Sequence, residues 1–81
     1  MSNWYKWEEE LIEKLKKQDQ RFAEMVERHR TLGKRLDELK SKSYLSAEEE
    51  AEEQRLKREK LKLRDRIEET LRNHKNTVLP A

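Results

Sequence analysis

Two histidines, His29 and His74, are the side chains of this chain best suited to proton transfer or metal ligation. They stand 45 positions apart, and there is no cysteine. A zinc site wants about four clustered ligands, so two distant imidazoles do not supply one. Carboxylates are abundant, and chance pairs among them are certain. None sits in a pattern that implies a pocket or a shifted pKa. There is no glycine-rich phosphate loop and no nucleophile beside an evident base. The pattern therefore predicts no enzyme, no metal and no cofactor.

The remaining candidates are contact surfaces. The segment KREKLKLRDR over 57–66 gathers Lys57, Arg58, Lys60, Lys62, Arg64 and Arg66. Such a run could meet nucleic-acid phosphates. Glu59 and Asp65 interrupt it, and no aromatic residue interleaves for base stacking. The bland reading is a helix face meeting acids on a neighbour. The segment WYKW brings Trp4 and Trp7 together near the start, a composition suited to protein interfaces. The three glutamates that follow it argue against an anionic lipid surface.

These residues need elements to hold them. With 81 residues the chain is at most one domain. It is 47% charged and 32% hydrophobic, with one Gly and one Pro, so it is either disordered or built of long exposed helices. Periodicity selects helices. Leu11, Leu15, Gln18, Phe22, Met25, His29, Leu32, Leu36 and Leu39 step by four and three in turn, a heptad seam. Trp4 extends it backwards, and Ile12 and Val26 widen it. Helix one is expected over about 4–40, with Asn3 or Ser2 as N-cap, a rod of roughly 55 Å.

The segment SKSYLSAEEE then predicts a turn at about 41–45. Ser46 and Glu49 match a capping box that would start helix two at Ala47. No Gly or Pro enforces the break, so one continuous helix is the alternative. Helix two is expected over about 47–74, with Leu56, Leu63, Ile67 and Leu71 on one face and Leu61 pointing away. Fraying is expected near Asn73 to Asn76, with a flexible tail over 75–81.

Each helix is acidic near its start and basic towards its end, which suits the helix dipole. Folded antiparallel, the basic end of one meets the acidic start of the other. The fold class expected is all-α: a two-helix antiparallel hairpin with coiled-coil packing that assembles into a helical bundle. His29, on the seam, is expected to fix register through a hydrogen bond to Glu59. Gly33 beside it marks either tolerance or close approach of another helix. Helix one outlasts helix two, so Trp4 and Trp7 would overhang. With Ile12, Val26, Gly33 and Leu61 they form the expected interaction surface.

A domain this small draws only about 3–5 kcal/mol from its own core and often needs a partner. Self-association is therefore expected, a dimer closing a four-helix bundle being the simplest solution. Net charge is +2, which gives no strong case for nucleic acid. No apolar run reaches the length of a signal or spanning segment, which makes the cytoplasm the expected location and gives no membrane role.

The string ELIEKLKKQDQRFAEMVERHRTLGKRLDEL, followed by LKREKLKLRDRIEETL, resembles the YdcH-like family of small bacterial proteins, a domain of unknown function. The resemblance is carried by Leu11, Ile12, Leu15, Lys16, Arg21, Phe22, His29, Leu32, Lys60, Leu61, Leu63, Arg64, Asp65 and Ile67. It spans about residues 8–72. Gly33 stands where the pattern has an acidic or polar residue, and Arg64 replaces a lysine. The resemblance implies a helical hairpin and a bacterial cytosolic protein. It transfers no activity and no catalytic residue.

Overall fold

The computed structural model describes residues 4–78, with side chains through His74. It contains three helices: α1 (Lys6–Gln18), α2 (Gln20–Lys40) and α3 (Ala47–Val78). Among the described residues there is no strand. The molecule measures 52 × 22 × 19 Å.

The single first helix expected over 4–40 is therefore two helices. The break is Asp19, whose backbone is extended at φ −136° and ψ 109°. Its Oδ1 accepts the backbone N–H of Arg21 at 3.0 Å and of Phe22 at 3.2 Å. Its own N–H donates to the Leu15 carbonyl at 2.9 Å. One residue thus ends α1 and caps α2. Aspartate is suited to this because its short carboxylate competes with the helical backbone for N–H groups. Gln18, read as a polar member of the seam, is exposed and belongs to the corner.

After the corner α2 runs back along α1. This reversal buries Ile12 and Leu15 against Phe22, Ile67 and Leu71, with Trp4, Leu11, Met25 and Val26 packed around them. A second cluster joins Leu32, Leu36, Leu39 and Leu56, with Leu45 and Leu63 at its edge. Removing such apolar surface from water contributes about 25 cal/mol per Å². A hairpin of only α2 and α3 would keep the second cluster and lose much of the first.

α1 begins after Tyr5, whose N–H donates to Glu8 Oε1 at 2.9 Å. Asn3 and Ser2, the caps expected from sequence, lie outside the described residues. The second connection follows the capping-box pattern. Ser46 N–H donates to Glu49 Oε1 at 3.0 Å, and Glu49 N–H donates to Ser46 Oγ at 3.1 Å. The Lys42 ammonium also meets the Glu49 carboxylate. The backbone of α3 stays helical through Val78, past the fraying point expected at Asn73 to Asn76. Residues 79–81 of the expected tail lie outside the described residues.

α2 and α3 are antiparallel, and two arginine–glutamate pairs hold their register. Arg28 donates to Glu59 at 2.8 and 3.2 Å, and Arg35 donates to Glu52 at 2.8 and 2.9 Å. The arginines are one heptad apart on α2, and the glutamates one heptad apart on α3 in reverse order. Both arginines present two N–H groups in a plane, which suits a carboxylate better than a lysine would. The arginines hold both glutamate carboxyls below the usual range, chiefly by these hydrogen bonds.

Candidate functional site

The reversal of α1 creates a groove of about 560 Å³ along α1 and α2. Trp4, Ile12, Val26, His29 and Gly33 contribute to it. α1 supplies Glu9, Glu13 and Lys16; α2 supplies Glu27, Arg30, Lys34 and Asp37; Lys60 reaches in from α3. The α1 side thus carries two acids and one base, and the α2 side two acids and two bases. Lys16 ties the two helices together, 3.9 Å from Glu27 and 3.8 Å from Glu13.

Trp4 closes one end. Its ring lies 6.0 Å from the His29 ring, tilted by 52°. The Arg64 guanidinium sits over it at 4.7 Å, a cation–π contact. Arg64 also donates to Glu68 at 2.8 Å, which steadies it. Trp4 does not overhang, as a straight helix one would require. It is half-buried beside the first core cluster.

His29 does not bond Glu59, as expected from sequence, because Arg28 occupies that carboxylate. The imidazole faces Trp4, and its Nε2 is buried with no hydrogen-bond partner among the described residues. Burial, then the charges of Lys60 and Arg64, push its pKa below the ordinary 6.5. Gly33 is approached by a side chain and not by another helix. A Cβ placed there would lie 3.7 Å from Lys60 Cε and Nζ. Lys60 crosses α2 here at a distance that would be an ordinary van der Waals contact for a Cβ.

Of the surface residues expected from sequence, the structure brings Trp4, Ile12, Val26 and Gly33 to one groove. Ile12 is only 6% exposed, so it belongs to the core of its own chain and is no free contact residue. Trp7 and Leu61, 41% and 60% exposed, stand outside the groove. The basic residues of α3 do not share one face. Lys57 lies 3.7 Å from Glu53, Lys60 crosses Gly33, and Arg64 holds Trp4. Arg58, Lys62 and Arg66 remain exposed at one-turn spacing.

Among the described residues no group of three or more His, Asp or Glu side chains could hold a metal ion. No described helix is long and apolar enough to cross a membrane. Sequence reasoning missed Asp19 as a corner and Arg64 as the partner of Trp4. The polar triplet Gln18-Asp19-Gln20 was the available signal for the first.

A family model described as a protein of unknown function (DUF465) matches residues 22–71, from the first turn of α2 to Leu71 of α3. The match agrees with the YdcH-like resemblance of the sequence. It leaves α1, and with it Glu9, Glu13 and Lys16 of the groove, outside the matched segment. No curated protein and no solved structure matches the chain.

Proposed function

The chain belongs to the DUF465 family of proteins of unknown function, and from that premise we propose a non-catalytic, self-associating interaction module that docks through the groove between α1 and α2. The observation that carries this reading is the groove itself: Trp4, Val26 and Gly33 line it together with Glu9 and Glu13 of α1 and with Arg30 and Lys34 of α2, beside Glu27 and Asp37. A two-fold axis running along the groove would set Glu9 and Glu13 of one copy against Arg30 and Lys34 of the other, on both sides. Such an isologous contact closes on itself as a dimer. Complementary charge of this kind favours one partner orientation over others. The reading includes a bacterial, cytoplasmic setting and no cofactor.

Sedimentation equilibrium over a wide concentration range tests it, on the parent chain and on Val26→Glu and Leu61→Glu. The expected result is a dimer that Val26→Glu dissociates and Leu61→Glu leaves intact. A parent chain that stays monomeric throughout, or a dimer indifferent to Val26→Glu, sinks the reading.

One observation favours a second reading, a nucleic-acid accessory role. Arg58, Lys62 and Arg66 line up along the exposed side of α3. They would contact phosphates without reading sequence. Absence of any salt-dependent mobility shift with RNA or duplex DNA at physiological ionic strength removes this reading.

A further inference from the structure

We infer that Trp4 and His29 form a proton-sensitive latch, which holds the start of α1 over the groove while His29 is neutral and releases it when His29 is protonated. The inference deepens the docking reading by adding regulation to the same groove, and it rests on that reading only for its consequence.

A neutral imidazole carries one N–H, so its other nitrogen can be left bare. Nε2 of His29 is buried with no partner among the described residues. Protonation puts an N–H on both nitrogens, and the one at Nε2 would have no acceptor while Trp4 stays closed. A buried donor left unpaired is costly, and a charged one more so. The charged groups around the ring add to this. α3 presents Lys60 and Arg64, both cations. Of the acids on that stretch of α3, Glu59 is occupied by Arg28 and Glu68 by Arg64. On α2 itself the flanking residues are Arg28 and Arg30. On the α1 side Glu8 is engaged at the Tyr5 N–H, and Glu9 and Glu13 line the groove without a bond to the imidazole. Separation of the Trp4 and His29 rings relieves the conflict, since water then reaches Nε2.

The opening is local because Trp4 lies before the first turn of α1, while Ile12 and Leu15 hold the rest of that helix in the core. Acid therefore widens one end of the groove without unfolding the bundle.

The test uses Trp7→Phe, which leaves Trp4 as the sole tryptophan. Its emission is followed from pH 8 to 5, with His29 titrated by NMR in the parent chain. The expected result is a red shift with a midpoint below 6.5 that coincides with the titration of His29 and disappears when His29→Gln is added. Emission that does not move by pH 5, or a shift that persists with His29→Gln, overturns the latch. So does a parent chain in which His29 titrates while the Trp4 indole resonance stays fixed. Sedimentation at pH 8 reads the docking surface separately: a monomer whose Trp4 still releases in acid would sink the docking reading and spare the latch.

Discussion

Trp4 and His29 are 25 positions apart in sequence, and their ring centroids are 6.0 Å apart. In one continuous helix that separation would be roughly 38 Å. The contact and the groove both exist because the chain reverses at Asp19.

Asp19→Ala is expected to weaken the corner. Arg21 and Phe22 lose the acceptor of their N–H groups, a cost of about 0.5–2 kcal/mol for a cap of this kind. Alanine also favours the helical backbone that aspartate leaves. α1 and α2 should then sample a continuous helix, with the radius of gyration in small-angle scattering rising above that of the parent chain. An unchanged radius with unchanged stability would show that core contacts alone hold the reversal.

Leu71 is fully buried and joins α3 to Ile12 and Leu15 of α1. Leu71→Ala should cost about 2–5 kcal/mol. In a chain whose core contributes little more than that, the variant should lose most of its helical circular dichroism at 25 °C. Leu61→Ala, at an exposed position, should leave the urea midpoint almost unmoved.

Gly33→Ala should stabilise the protein. The added Cβ would meet Lys60 at 3.7 Å, an ordinary contact. The helix interior gains about 1 kcal/mol from losing a glycine. Chemical denaturation should show a higher midpoint with an unchanged slope. A lower midpoint would mean that the crossing of Lys60 over α2 has no room to adjust.

The register pairs should respond to single and double changes differently. Glu52→Gln removes the charge that meets Arg35 and should lower stability slightly. The exchange Arg35→Glu with Glu52→Arg should recover only part of the loss seen in Arg35→Glu alone, because Arg35 also meets Glu38 at 3.1 Å and a glutamate there would face a like charge. The loss should shrink in high salt, as expected for partly solvated charges. A double-mutant cycle by thermal unfolding gives the coupling.

The start of α3 carries a pH dependence. The Lys42 hydrogen bond, followed by the Ser46 N–H, holds the Glu49 carboxyl at about 2 against an ordinary 4.5. The folded state therefore favours the ionised form. The contribution is complete above 4.5 and is lost as pH falls towards 2. NMR titration of the Glu49 carboxyl should show the depressed value, and Lys42→Met should return it towards 4.5. An ordinary value in the parent chain would mean that the capping contact is open in solution.

The sequence by itself determined that the elements would be helices and which residues of α2 and α3 would be buried. Leu32, Leu36 and Leu39 on one helix, and Leu56, Ile67 and Leu71 on the other, announced their buried faces through spacing alone, since 3.6 residues per turn leave no other common side. Ser46 and Glu49 announced the start of α3 because a capping box is a local exchange of hydrogen bonds. The direction of α1 was not legible in this way. A heptad phase passes through Gln18 and Asp19 as well as around them, and an aspartate costs a helix interior well under 1 kcal/mol relative to alanine. The burial of Ile12, Leu15 and Trp4 against α2 and α3, added to the Asp19 cap, decides for the corner, and that burial involves residues far apart in the chain. The same holds for His29: its place on the seam is set by spacing, but Trp4, Lys60 and Arg64 reach it only after the reversal of α1, and Glu59 is lost to it because Arg28 offers that carboxylate two N–H groups.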